Sequence, residues 1–322
     1  MPAGEERVLK RRIRSVQSTK KVTRAMELIA TSRIARSQAR IAGSRPYVDG
    51  LTTAAADLAG APGGGVESRL LGEQDEKGRA ALIVVAADRG LCGAYNSNIL
   101  RAAERWTRAR GGQDPLLVAV GRKAERYLRY RGHDMEHSVT GVTDKPVYAD
   151  AREVASAVLG PFDAQGVDSV TIVSTRFLSA GRQKVEVRTL IPLRSDSDED
   201  SAGDDNTRDT DGLKIDFEVE PDRESLLEAL ARRVMEAQVY LALLEASASE
   251  HAARQRAMKA ASDNADDLIK TLTRSMNRVR QEAITTEIME IVGGSEALRQ
   301  ADPSSDGGGG FQWSESGQAR SA

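Results

Sequence analysis

The sequence is short of aromatic residues, which make up 4% of its 322 positions against 29% charged. That leaves too little bulky apolar matter for one large core, and suits long solvent-facing helices better. A single cysteine, Cys92, excludes an internal disulfide framework or a paired-thiol switch and fits a reducing compartment. No apolar run approaches the roughly 20 residues that span a bilayer, and no signal-peptide pattern is read at the charged N-terminus. Any membrane connection is therefore expected through partners. No Walker loop and no G-x-G-x-x-G follows a strand. His133, His137 and His251 are too scattered for metal ligation. No catalytic, cofactor or metal constellation is expected.

Proline and glycine are also missing between Pro221 and Gly293, and the pattern there is helical. Apolar or small residues recur at Leu227, Leu230, Val234, Ala237, Leu241, Leu244 and Ala248, in alternating steps of three and four. This is a heptad seam. It weakens at His251, Gln255 and Ser262 and resumes at Ala265, Ile269, Leu272, Met276, Val279 and Ala283. At about 1.5 Å per residue such a helix is roughly 100 Å long. Most of it is not expected inside a core of its own chain. The polar seam positions His251 and Gln255 would set register, or mark where a partner helix diverges.

Residues from about Glu5 to Ala59 form a second long helical pattern. Twelve bases reach as far as Arg45, against the acids Glu5, Glu6 and Glu27. A seam runs through Ile34, Ser37, Ile41, Ser44, Val48, Leu51, Ala55 and Leu58. A thinner stripe before it is read as Ile13, Val16, Val22, Met26 and Ile29. Pro46 is expected to kink or break the helix. Two long helices with incomplete apolar faces at opposite ends of a chain predict an antiparallel pair, with a domain between them.

That middle domain changes period. After a Gly/Pro boundary at Gly60–Gly65, the runs 81–86, 116–120, 139–142, 170–174 and 185–192 read as strands. Segments 98–110, 122–131 and 150–159 read as helices, with Gly132 as a C-cap. Alternation of this kind predicts an α/β layer with a mostly parallel sheet. Residues 194–212 carry eight acids and two bases, Arg194 and Arg208, and are expected to be a disordered surface loop. Ile215–Val219 reads as a short strand leading into the long helix.

At the first strand's end stands Asp88-Arg89-Gly90-Leu91-Cys92-Gly93-Ala94-Tyr95-Asn96. Its glycines would either cradle a phosphate or make the tight turn into the next helix. One glycine of the usual set is missing, and Cys92 has no basic partner nearby except Arg89, so a turn and an inert thiol are expected. For the basic N-terminal helix three readings remain open: a solvated face, a nucleic-acid footprint, and docking against acidic protein surfaces.

Three stretches resemble one family. Arg12 to Glu27 (RIRSVQSTKKVTRAME) resembles the N-terminal helix of F-type ATP synthase gamma subunits. Ser249 to Ala265 (SEHAARQRAMKAASDNA), with Asn277 to Ile288 (NRVRQEAITTEI) and the ending EIVGG, resembles the family's C-terminal signature. Asp88 to Asn96 resembles its first strand–helix junction. The resemblance spans roughly residues 5 to 300 in the right order. It implies an α/β fold plus a long antiparallel coiled coil: an N-terminal coiled-coil helix over 1–60, a Rossmann-like domain over 61–220, a C-terminal coiled-coil helix over 221–301 and a disordered tail over 302–322.

It also implies a rotor shaft with no active site and no cofactor of its own. The expected partners are a hexamer of alpha and beta subunits, an epsilon subunit and a membrane ring of c subunits. The place is the cytoplasmic face of a bacterial membrane, with no direct membrane span and no nucleic acid. Lys20, Lys21, Arg24 and Met26 on one helix and Arg280, Gln281, Thr285 and Glu287 on the other match the family's rotor–stator contact positions. The acidic insertion is a candidate electrostatic brake on hydrolysis. The alternative from the residues alone is a basic coiled-coil adaptor or nucleic-acid-binding protein, with an enzyme built on the α/β domain third.

Overall fold

The computed structural model describes residues 2–60, 78–110, 114–192 and 222–301. The boundary loop after Gly60, the acidic stretch 194–212, the strand expected over 215–219 and the tail after Ala301 lie outside the described residues. The elements run α1 (Pro2–Gly60), β1 (Ala80–Val85), α2 (Tyr95–Arg110), β2 (Leu116–Val120), α3 (Arg122–Tyr130), β3 (His137–Val139), α4 (Tyr148–Asp163), β4 (Ser169–Phe177), β5 (Gln183–Ile191) and α5 (Arg223–Ala301). They form two compact units, one of Lys21–Asp263 and one of Met1–Lys20 with Asn264–Ala322.

The larger unit is built on a sheet of order β3-β2-β1-β4-β5. β1 pairs in parallel with β2 and β4, and β2 with β3, while β5 runs antiparallel to β4. β1 and β2 are buried at every position, which is why they read as continuous apolar runs and not as alternations. One face carries Leu82, Val84, Leu117, Ala119 and Val173 against Ile99, Ala103 and Leu128 of α2 and α3. The other carries Ile83, Val85, Val118, Val170 and Ile172 against Val154, Val158 and Phe162 of α4 and Met235, Val239, Leu243 and Ala246 of α5.

The middle of α5 has a second buried side. Ala237, Leu241, Leu244, Ala248 and Ala252 pack against Ile34, Ile41 and Val48 of α1. Twelve consecutive residues, Leu241 to Ala252, are buried. Over this stretch, unlike most of the helix, which is expected outside a core of its own chain, α5 is sandwiched between the sheet and α1. The heptad seam captured only the side facing α1.

The seam of α1 is longer than the sequence indicates. Glu6, Leu9, Ile13, Val16, Lys20, Thr23, Glu27, Ala30, Ile34, Ser37, Ile41, Ser44, Val48, Leu51, Ala55 and Leu58 are all buried or half-buried, in unbroken steps of three and four. Val22 and Ile29, expected on this face, point outward and are more than half exposed. Met26 is half-buried beside them. The register set by Ile34 to Leu58 holds through the polar positions Thr23 and Glu27, and a slip to follow the apolar residues would undo the packing downstream. Pro46 does not break the helix. Val48, Ala55 and Leu58 beyond it are buried, and their packing offsets the lost backbone donor. β3 also lies earlier than expected, because Gly141 at φ +87° turns the chain out of the sheet.

Within the larger unit the two helices run antiparallel. Thr23 Oγ1 meets Ser262 Oγ at 2.8 Å and Arg45 Nη2 donates to Glu245 at 2.8 Å, so contacts climb α1 as they descend α5. The Thr23–Ser262 pair is a buried polar layer in the seam. Ser262→Ala and Thr23→Val are each expected to cost about 1 kcal/mol, and the double variant less than the sum of the two, since both single changes break the same hydrogen bond. Urea unfolding of the three variants checks this. In the smaller unit the same antiparallel order holds, with Lys20 Nζ on Asp266 at 2.5 Å and Arg280 near enough to Glu6 to help lower its carboxyl, after the dominant Lys10 hydrogen bond.

Candidate functional site

Two regions carry the sequence-predicted chemistry. The first is the mouth of the parallel sheet, where α/β folds take ligands. Asp88 follows β1 and accepts backbone N–H groups from Arg122 at 3.1 Å, Gly141 at 2.8 Å and Thr143 at 3.1 Å, and the Thr143 hydroxyl at 2.9 Å. Burial alone would raise its carboxyl, but these donors hold it below the ordinary value. The carboxylate thus caps α3 and ties down the loop after β3. Gly121, at φ +89°, has no room for a side chain: a Cβ would lie 2.0 Å from the Ala86 carbonyl oxygen.

The stretch from Gly90 to Ala94 is the turn into α2. Leu91 (φ +62°) and Gly93 (φ +58°) are left-handed, and the Asn96 side chain accepts the Ala87 N–H at 2.9 Å and donates to the Cys92 sulfur at 3.1 Å. Cys92 is buried, and burial with the nearby Glu250 charge pushes its thiol up. Its burial and raised thiol fit the inert side chain expected.

α5 closes this mouth. Arg254 donates to Glu250 at 2.5 Å and to the Gly90 carbonyl at 3.3 Å, and Tyr95 donates its phenol proton to the Ala246 carbonyl at 3.1 Å. Burial raises the Glu250 carboxyl and Arg254 opposes the rise. His251, only 1% exposed, faces the Asp144 carbonyl at 3.3 Å and its carboxylate at 3.7 Å. Burial brings its pKa down to about 4. So this seam histidine is neutral and packed on a loop of the α/β layer, and does not mark a divergence of the helices. Beside the mouth lies a cavity of about 390 Å³ lined mainly by Cys92, Ala94, Tyr95, Thr175, Val185 and Ala253. Its one charged wall, Arg256, is engaged with the Ala180 carbonyl at 2.7 Å and with Gln183. Nothing in that lining pairs an acid with a base.

The second region is the helix pair. In the smaller unit Lys20 is paired with Asp266, while Arg280, Gln281, Thr285 and Glu287 are all exposed. Lys20 and Arg280 stand about four turns apart along the coil, so they form two levels and not one site. In the larger unit Lys21 and Arg24 are exposed, and Arg24 donates to Glu27 at 2.7 Å. Beyond Ala283 no residue of α5 with a described side chain is buried even partly. Ile284, Ile288 and Ile291 present an apolar stripe that is half exposed or more.

The basic face of α1 is partly spent within the chain. Lys10 pairs with Glu6, Arg33 with Asp144 and Arg45 with Glu245, and Arg40 donates to the Pro146 carbonyl. That is a poor footprint for a polyanion, which needs free cations to displace counterions. Sequence reasoning missed Asp88, Asp144 and the Glu250–Arg254 pair as fixed points. The available signal was Glu250 and Arg254 at i, i+4 spacing next to a run buried on all sides.

Comparison with known proteins bears on the same two helices and sheet. A family model described as ATP synthase matches residues 5–298. The chain is 46% identical over 303 residues to the ATP synthase gamma chain of Parafrankia sp., covering 92% of this chain and 98% of that one. It is 45% identical over 312 residues to the ATP synthase gamma chain of Mycolicibacterium smegmatis, again covering 92% and 98%. Among solved structures, a chain of the Euglena gracilis mitochondrial ATP synthase superposes with a TM-score of 0.66 at 20% identity, covering 97% of this chain and 100% of that one. A chain of the Tetrahymena thermophila enzyme's central stalk and c-ring assembly gives 0.55 at 23% identity, covering 75% and 99%. These two likenesses speak to the fold.

Proposed function

Since the chain belongs to the ATP synthase gamma-chain family, we propose that it works as the central-stalk rotor of a proton-driven ATP synthase, coupling rotation of a membrane c-ring to ATP synthesis and hydrolysis on beta subunits. Its partners in this reading are the hexamer of alpha and beta subunits, an epsilon subunit and the c-ring. The observation that carries it is the end of α5. An apolar stripe through Ile284, Ile288 and Ile291 runs on after the seam with α1 has ended, and demands a sleeve from other subunits. No described helix is long and apolar enough to cross a membrane, in keeping with a peripheral place on the cytoplasmic face. The chain contributes no catalytic site and no cofactor, and the sheet mouth filled by Arg254 and Glu250 supports this.

Physically, the shaft acts by population shift. Its one-sided surface meets each of three beta subunits differently, and each orientation favours a different open or closed state. A surface with equal contact energy for every state would shift nothing. Lys20, Lys21, Arg24 and Met26, with Arg280, Gln281, Thr285 and Glu287, are the coupling contacts. Residues 1–60 and 221–301 serve as the shaft and 61–220 as the foot.

Purification of the tagged chain from its cells is expected to bring down alpha and beta subunits in threefold excess and no nucleic acid; nucleic acid without those subunits would refute the rotor reading. Replacing Arg280 and Gln281 together by alanine is expected to slow ATP hydrolysis by the assembled complex roughly tenfold, the worth of one charge-assisted contact. A hydrolysis assay on complexes of equal subunit content checks this.

A further inference from the structure

The loop between β3 and α4 touches both long helices at once. From α1, Arg33 pairs with the Asp144 carboxylate and Arg40 donates to the Pro146 carbonyl. From α5, the Ser247 hydroxyl donates to the Asp144 carbonyl at 3.3 Å, and His251 faces the same carbonyl. The loop is itself held from below. Thr143 takes the Asp88 N–H on its hydroxyl oxygen at 3.0 Å and returns the hydroxyl proton to the Asp88 carboxylate, and Asp88 in turn caps α3. This short loop, with Thr143 and Pro146 buried, thus receives two arginines from one helix and two polar groups from the other.

Apolar packing leaves sliding open in a way that these contacts do not. The α1–α5 seam near here, Ile34, Ile41, Leu244 and Ala248, resists separation, but apolar surfaces are non-directional. Charge-assisted hydrogen bonds fix position and orientation. They sit where the helix pair meets the α/β layer, inside one compact unit.

We infer that the β3–α4 loop is the clamp that passes torque between the α/β layer and the helix pair, with Asp144 as its positioning residue. The inference rests on the rotor reading above. It assigns Asp144 a role that touches neither nucleotide nor the surrounding hexamer. ATP hydrolysis by a detached head needs only the helix pair within the hexamer. Proton pumping needs torque to reach the α/β layer and the ring. Loosening the clamp is therefore expected to separate the two activities.

The test uses membrane vesicles from cells whose ATP synthase carries Asp144→Ala, Asp144→Asn or Arg33→Gln. Protons pumped per ATP hydrolysed should fall at least threefold in Asp144→Ala and Arg33→Gln, and less in Asp144→Asn, which keeps the shape. Hydrolysis by the detached heads should stay at the parent rate. The Arg33→Gln, Asp144→Ala double variant should be no worse than the worse single one. If Asp144→Ala does not assemble, the other two variants decide. A parent-like pumping ratio in them, or pumping and detached-head hydrolysis falling together, overturns the clamp. Parent complexes that hydrolyse ATP without pumping at all would instead overturn the rotor reading, and the clamp with it.

Discussion

Replacing Arg254 by alanine is expected to cost about 3–5 kcal/mol of stability, because it strands a buried carboxylate. Glu250 is 2% exposed and takes its ion pair from Arg254 at 2.5 Å. Without that partner, the charge must either stay desolvated and unpaired or take a proton. Burial already raises the Glu250 carboxyl with Arg254 present, and removing the arginine raises it further. A carboxyl with a raised folded pKa contributes stability below its unfolded value and loses it as pH rises through the folded one. The deficit of Arg254→Ala should therefore be larger at pH 8 than at pH 5. Converting Glu250 to glutamine in the same chain should return most of the loss and flatten that pH dependence. Urea unfolding at the two pH values, with the slope against denaturant unchanged, reads this directly. A loss equal at both pH values and untouched by the second substitution would mean that Arg254 matters for its packing, as a long apolar stem, and not for its charge.

The architecture was largely legible in the sequence, for reasons that particular residues make plain. β1 and β2 are covered on both faces by helices, so their unbroken runs could not be mistaken for amphipathic strands. The α1 seam from Ile34 to Leu58 is apolar or small at every heptad position, and it was read correctly. Its continuation holds at Ile13, Val16 and Met26 but not at Val22 and Ile29, which face outward while Lys20, Thr23 and Glu27 turn inward. Hydrophobic periodicity follows residue type, and here register is dictated by packing far along the same helix. The burial of Leu241 to Ala252 was missed for a related reason. A helix covered on two sides keeps its heptad on one of them, and the sheet-facing residues Met235, Val239, Leu243 and Ala246 look like filler when only one seam is sought.

The fixed points of the site were harder still. Asp88 lies in the junction that carries the family resemblance, but its partners Arg122, Gly141 and Thr143 come from separate segments whose meeting depends on the parallel order β3-β2-β1. Asp144 has no local pattern at all. Its importance comes from Arg33, more than a hundred residues earlier, and from Ser247 and His251, more than a hundred residues later. Polar contacts between distant segments leave no period to read. His251 in a weakened seam, read as setting register or as marking a parting of helices, reports a change of neighbour to the Asp144 loop.

Acidification should weaken the folded chain through His251, and the sign follows from its burial. Its pKa is about 4 in the folded state against 6.5 for the free side chain, with desolvation as the leading cause and Arg254 and Arg33 adding repulsion against the pull of Asp144. Above pH 6.5 the ring is neutral whether the chain is folded or not, and the shift contributes no loss. Between 6.5 and 4 the unfolded chain binds a proton that the folded one refuses, so stability falls as pH falls. The loss levels off near pH 4 at about 3 kcal/mol in total. Glu245 and Glu250 act against it across part of the same range, since burial raises both carboxyls and a falling pH relieves them. A single acid titration would therefore blend the two signs. The difference between parent and His251→Gln separates them: glutamine can still donate toward the Asp144 carbonyl and does not titrate. That variant should lose less stability from pH 7 to pH 4.5 than the parent, by roughly 2–3 kcal/mol, with the gap opening below pH 6.5. Asp88, whose carboxyl is held low, gives way only at more acid values and in both chains alike. Parallel stability curves for parent and variant would place a solvated, freely titrating ring at 251, and the packing of α5 on the β3–α4 loop would be wrong.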